Sequence, residues 1–290
     1  MSALTCVSLI KLVTRHVTRL RPLVLPPSSS SKVGLSSSYY YSTMTAGTGS
    51  IVRAGEAMGL KQLFDDDSST YTYLLWDPHT KDAIIVDPVD LQVERDLQQV
   101  NELGLNLVFG VNTHVHADHI TGTGLLKTKV PGFRSVLSAV SGGKADVTIG
   151  HGDKIVFGSR SVSARATPGH TAGCMSYVAD DESFVLTGDA LLIQGCGRTD
   201  FQGGSAETLY QSIHTQIFSL PDSTVVYPAH DYMGRTNSIL GDEKKSNPRL
   251  GAGKACAEFV EIMANLNLAY PKKIDTAVPA NLRCGVPDVE

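Results

Sequence analysis

Three of the nine histidines in this 290-residue chain fall within six residues, in the run Thr113-His114-Val115-His116-Ala117-Asp118-His119. The run directly follows the apolar residues 105–111, so neither chance crowding nor a merely polar surface loop explains it well. His114 and His116 leave the end of an extended segment at i and i+2, so both side chains project to one side and can share an ion. Asp118 and His119 come as the chain turns toward the next helix and can face a second position beside the first. Neutral imidazole and carboxylate are donors that divalent zinc and iron accept.

A metal needs further donors, and the chain offers them at the ends of other apolar runs. Ala166-Thr167-Pro168-Gly169-His170-Thr171 follows one, Leu186-Thr187-Gly188-Asp189 ends a second, and Val225-Val226-Tyr227-Pro228-Ala229-His230 ends a third. Each puts a donor beside Gly or Pro, where backbone bends can aim it at a shared point. His16, His79, His151 and His214 have no such setting and are set aside.

The elements that would carry these loops can be read from periodicity. β-Rich runs at 70–76 and 82–86, separated by Asp77-Pro78-His79-Thr80, predict a hairpin. Asp90 can cap a helix in which Val93, Leu97, Val100 and Leu103 repeat at helical spacing, with Gly104 to end it. Residues 105–111 predict the strand into the histidine run, followed by a short helix at 120–129. Strands are expected at 134–138, 146–149, 154–157, 161–166, 175–179, 183–187 and 224–227, with helices at 207–220 and 256–266. Many strands with few, irregularly placed helices favour two sheets packed face to face with helices outside, a four-layer αββα sandwich, over a doubly wound parallel sheet.

Composition sets the outer limits. Hydrophobic residues at 42% and charged residues at 19% are ordinary globular values, no run approaches a spanning segment, and the net charge of −4 gives no basic footprint for a phosphate backbone. Neither a membrane nor nucleic acid is expected as a partner. Charge is uneven, however: residues 1–55 hold Lys11, Arg15, Arg19, Arg21, Lys32 and Arg53 but no Asp or Glu. Taking those six from 25 basic residues leaves 19 against 29 acidic, a net −10. The same stretch is rich in Ser and Thr, and Leu9, Ile10, Leu12, Val13 and Val17 can form an apolar face, so 1–50 reads as a transit peptide and linker ahead of a catalytic domain at 51–290. The mitochondrial matrix is the first destination and a plastid the second. Five cysteines without CxxC spacing predict neither a disulfide framework nor a cysteine zinc site.

On the histidine run and its distant partners, the sequence from Ile51 onward resembles the metallo-β-lactamase superfamily, and within it the persulfide dioxygenase (sulfur dioxygenase) family. The segment Gly195-Cys196-Gly197-Arg198-Thr199-Asp200-Phe201-Gln202 is similar to the dioxygenase family, whereas the related glyoxalase II hydrolases typically carry a Lys-Phe segment there and a longer helical portion after the last histidine. The resemblance implies oxidation of glutathione persulfide with O2 and water to sulfite and glutathione, in hydrogen sulfide catabolism. It implies one Fe(II) per chain on His114, His170 and Asp189, a facial triad with open positions. His116, Asp118, His119 and His230 would then orient ligands and water, or hold a second metal in a hydrolase. A homodimer is also implied. Because glutathione carries two carboxylates, Arg198, Tyr232 and Arg249 are expected at the mouth of the site. Two other readings stay open: a glyoxalase II-type hydroxyacylglutathione hydrolase with two Zn per chain, and a non-catalytic metal-binding scaffold.

Overall fold

A computed structural model describes residues 51–52 and 57–286, so the expected transit peptide lies outside the described residues. Among the described residues, thirteen strands run in chain order as β1 (Ile51–Val52), β2 (Gly59–Asp65), β3 (Thr70–Trp76), β4 (Asp82–Val86), β5 (Asn106–Val111), β6 (Arg134–Ser138), β7 (Val147–Ile149), β8 (Lys154–Phe157), β9 (Arg160–Ala166), β10 (Met175–Ala179), β11 (Phe184–Gly188), β12 (Val225–Pro228) and β13 (Ser238–Ile239). The α-helices are α1 (Val93–Glu102), α2 (Thr123–Lys129), α3 (Ala206–Ser212), α4 (Leu240–Ser246), α5 (Cys256–Ala264) and α6 (Ile274–Asn281). Strands β1 to β7 form one sheet in sequence order, and the second sheet has the order β13-β12-β11-β10-β9-β8.

Side-chain alternation sorts the layers, since neighbouring residues of a strand face opposite sides. Tyr73, Leu75, Ile84 and Val86 of the first sheet meet Val162, Tyr177 and Leu186 of the second in one buried cluster between the sheets. The intervening residues Leu74, Trp76, Ala83 and Ile85 face outward onto Val93 and Val100 of α1 and Leu126 of α2. On the far side, Val178, Val185 and Val226 pack against Leu209 of α3, Leu240 of α4 and Phe259 of α5. A strand flanked on both faces by apolar layers must be apolar throughout, and every residue of β3 is buried. The expected αββα sandwich is therefore the architecture found.

Several elements depart from expectation. Asp90 does not cap α1: it lies in a 3₁₀ turn, Asp90–Gln92, and its carboxylate accepts from the next backbone N–H, that of Leu91. Gly104 does end the α1 region, with a φ of 62°. The single helix expected over 207–220 is α3, capped by the Ser205 hydroxyl accepting from Thr208 N–H, followed by a π-helical turn at Ile213–Ile217. Strand β2 was not expected, because Lys61 and Gln62 interrupt its apolar pattern, yet Gln62 is buried and donates to the Tyr73 hydroxyl and to Thr236 O. Helix α6 was masked by Pro279 inside it. No helix of the described residues is long and apolar enough to cross a membrane.

One buried charge in α1 gives a test of the fold that is independent of the site. Asp96 is fully buried with Oδ2 unpartnered, and burial raises its carboxyl to about 6 even though Arg95 donates to Oδ1 and pulls the other way. A carboxyl raised in the folded state contributes stability below its unfolded value of 3.8 and loses it as pH rises toward 6. The shift corresponds to roughly 3 kcal/mol. Between pH 3.8 and pH 7.5 the stability of Asp96→Asn should therefore improve relative to the native chain by about that amount, read from urea unfolding at each pH. An unchanged difference would show that Asp96 is not desolvated.

Candidate metal centre

Strand direction explains why distant residues meet. In the first sheet β4 and β5 run parallel, and in the second β11 and β12 run parallel, with β9 pointing the same way two strands over. The histidine run follows β5, His170 follows β9, Asp189 follows β11 and His230 follows β12, so each donor sits just past the C-terminal end of its strand. Gly188 makes the junction tight. It has a φ of 54°, and a Cβ there would lie 2.8 Å from Thr113, so only glycine lets the end of β11 abut the start of the histidine run.

Two groups of donors result. His114, His170 and Asp189 offer atoms within 4.8 Å of one another, and so do His116, Asp118 and His119. Asp189 reaches both sides, with Oδ2 at 3.4 Å from His170 Nε2 and Oδ1 at 3.6 Å from His230 Nε2. His230 Nε2 is also 3.5 Å from Asp118 Oδ2. All seven expected donors thus converge on one place.

The nitrogen of each imidazole that faces away from the centre is already committed. Nδ1 of His170 donates to Arg198 O at 2.7 Å, and Nδ1 of His230 donates to Ser69 O at 3.1 Å. Nδ1 of His119 is held by Asp118 Oδ2 at 2.7 Å, and Nε2 of His116 by Asp87 Oδ1 at 3.0 Å. For His114 the hold is indirect: the Thr113 hydroxyl donates to Asp87 Oδ2 at 2.8 Å and so accepts from His114 Nδ1 at 2.9 Å. Each ring is thereby oriented with its other nitrogen turned inward. Three inward atoms, His116 Nδ1, His119 Nε2 and Asp189 Oδ1, are buried without any hydrogen-bond partner. Buried polar atoms are rarely left so, and a bound cation is what this donor set fits.

The charges say the same. Burial, then the neighbouring His116 and His170, hold His114 well below the ordinary imidazole range, so it is neutral as a ligand must be. Burial works against a charged His230, but Asp189 and Asp118 push it up to about 9. The carboxylates thus draw a positive charge into the site, and a metal ion taking that role would release the proton.

The centre opens on a cleft of about 570 Å³ lined by His170, Asp189, His230, Arg198, Tyr232 and Arg249 among others. Tyr232 is 73% exposed and stacks on His230, with ring centroids 6.0 Å apart and planes at 10°. The Arg198 guanidinium is spoken for by Asp200 and by Ala269 O, while its own carbonyl holds His170. Arg249 donates to Cys196 O at 2.8 Å and has no carboxylate partner among the described residues, which leaves its charge uncompensated. All four described cysteines are free. Burial pushes the thiols of Cys174 and Cys196 up to about 12 and about 11, so neither is a nucleophile at neutral pH.

Sequence reasoning missed Asp87, which accepts from Thr113 N–H, from the Thr113 hydroxyl and from His116. The signal was present: Asp87 ends the apolar run Ile84-Ile85-Val86, the same setting that singled out Asp189.

Comparison with known proteins agrees with this arrangement. Residues 65–230 match the model of the metallo-β-lactamase superfamily. The chain is 54% identical over 233 residues to the mouse mitochondrial persulfide dioxygenase ETHE1, covering 80% of this chain and 91% of the mouse protein. The crystal structure of ETHE1 from Myxococcus xanthus superposes with a TM-score of 0.74 at 51% identity, covering 78% of this chain and 99% of that one. A cytoplasmic hydroxyacylglutathione hydrolase of Arabidopsis thaliana is more distant, 36% identical over 56% of this chain and 64% of its own length. With its donors at the ends of strands from both sheets and these relatives over most of its length, the chain belongs to the metallo-β-lactamase superfamily and, within it, to the persulfide dioxygenase family.

Proposed function

We propose that this chain is a non-haem Fe(II)-dependent persulfide dioxygenase that converts glutathione persulfide, O2 and water into sulfite and glutathione. The observation that carries the reading is the set of His114, His170 and Asp189, whose donor atoms lie within 4.8 Å of one another and of which His170 and Asp189 line the open cleft. Fe(II) held there supplies open coordination positions for oxygen chemistry at a persulfide sulfur. The reaction balances as one persulfide, one O2 and one water giving glutathione, sulfite and two protons. His114 and His170 are oriented by Thr113 and by Arg198 O, and Asp189 contributes the carboxylate. Asp118, His119 and His230 line the far side, where they orient water. Arg249, with its uncompensated charge, and Tyr232 at the rim bind the carboxylate-bearing carrier. We assign residues 51–290 as the catalytic domain and 1–50 as a mitochondrial transit peptide and linker.

A second reading rests on the intact group of His116, Asp118 and His119, which with His230 would hold a second ion in a binuclear zinc hydrolase of acylglutathiones. Metal content of anaerobically purified protein, measured beside oxygen uptake with glutathione persulfide, separates the two. One iron per chain with oxygen consumption, and a raised KM in Arg249→Met, is the expected result. Two metals, thioester cleavage and no oxygen uptake would replace it with the hydrolase.

A further inference from the structure

The segment His116–His119 makes a sharp excursion between β5 and α2 and carries three donors, yet it belongs to no helix or strand. Its backbone is held from an unexpected direction. Asn281, the last residue of α6, lies more than 160 positions away and is 4% exposed. Its Nδ2 donates to His116 O at 2.9 Å and to His119 O at 2.8 Å, while its Oδ1 accepts from Thr121 N–H at 2.8 Å. One planar amide thus spans the loop at both ends and fixes the distance between the two carbonyls that bracket Asp118.

The end of α6 is itself seated firmly. Lys144 N–H donates to Leu282 O at 2.8 Å, and Gly285 N–H donates to Ala280 O at 2.9 Å. Gly285 passes so close to the loop that a Cβ on it would lie 2.1 Å from Thr121 O. Beneath the loop, between His114, His116 and Asn281, remains a hole of about 10 Å³, room for one water. Because Asn281 is bonded directly to both carbonyls and to Thr121 N–H, a shift of its side chain would move the backbone of His116 and His119.

We propose that Asn281 is a positioning residue for the metal centre: it sets the backbone of His116–His119 so that the donors of His116, Asp118 and His119 stay beside those of His114, His170 and Asp189. The role is one of geometry, since the amide offers nothing to the ion or the substrate. It rests on the metal-binding reading of the site and not on which reaction is catalysed. The C-terminal helix, which contributes no donor, becomes part of the metal site through one side chain.

Co(II) is a suitable probe, because its visible absorption reports ligand geometry without turnover. Asn281→Asp keeps the shape but sets a carboxylate oxygen against two carbonyls, and Asn281→Ser reaches neither carbonyl. Both should bind Co(II) about 10- to 100-fold more weakly than the native chain, with shifted absorption bands. Phe259→Leu, in the helix layer away from the site, serves as a control that lowers the unfolding midpoint while leaving Co(II) affinity and bands native. If the Asn281 variants lose stability but keep native affinity and bands, as that control does, the proposal is overturned. Failure of both variants to fold counts against it equally, because Asn281 would then hold the fold rather than the site. A native chain that takes up no Co(II) removes the metal reading itself, a different result.

Discussion

Asp189→Asn should yield a folded chain that no longer retains its metal through desalting, with oxygen uptake on glutathione persulfide lost in parallel. The amide matches the carboxylate in shape, so packing around β11 is preserved. What disappears is the anion placed 3.4 Å from His170 Nε2 and 3.6 Å from His230 Nε2, at the point where the two donor groups meet. Removing one partner of a buried charge pair costs about 3–5 kcal/mol. That corresponds to a metal affinity weaker by roughly 10²- to 10⁴-fold. Elemental analysis of the desalted variant is the direct measurement. Native metal content together with native oxygen uptake would remove Asp189 from the centre.

Asp87→Asn should weaken metal binding by about 10- to 100-fold without unfolding the chain. Asp87 sits at a φ of 51°, a conformation that asparagine shares readily. The damage is to proton placement. As a carboxylate, Asp87 can only accept, so the Thr113 hydroxyl points its proton at Asp87 and leaves an oxygen lone pair for His114 Nδ1–H. An amide at position 87 can donate to that hydroxyl, turning its proton toward His114 Nδ1 and moving the ring proton to the inward nitrogen. His114 would then be the wrong tautomer for a ligand. Asp87→Ala is the harsher change, because it strands three buried donors and should lower the unfolding midpoint by roughly 10 °C. Titration with a divalent ion tests the first variant and thermal unfolding the second; native affinity in Asp87→Asn would show that the Thr113 relay does not set the tautomer.

The donors themselves were legible because their chemistry is local: His114, His170, Asp189 and His230 each follow an apolar run and stand beside Gly, Pro or one another. The sandwich was legible because its strands alternate or run apolar at the right lengths. What sets the donors was not. Asp87 ends an apolar run as Asp189 does, but its reach to Thr113 and His116 follows only once β4 is placed parallel to β5. Asn281 lies in a helix interrupted by Pro279, and nothing near it in sequence points to a loop more than 160 residues earlier. Arg198 shows the same limit in another form, since its side chain was expected at the substrate and its backbone carbonyl is what holds His170. Contacts made by backbone groups, and by polar residues across large sequence separations, depend on topology and leave no periodic trace.

The division of donors between the two sheets carries a mechanical consequence. His114, His116, Asp118 and His119 hang from the first sheet, and His170, Asp189 and His230 from the second. An ion bound among them is a rivet through both plates of the sandwich, and its occupancy adds to the resistance of those plates to sliding apart. Starving the protein of metal would thus loosen its frame as well as silence its chemistry, and the seam between the plates is where a protease would find its first opening.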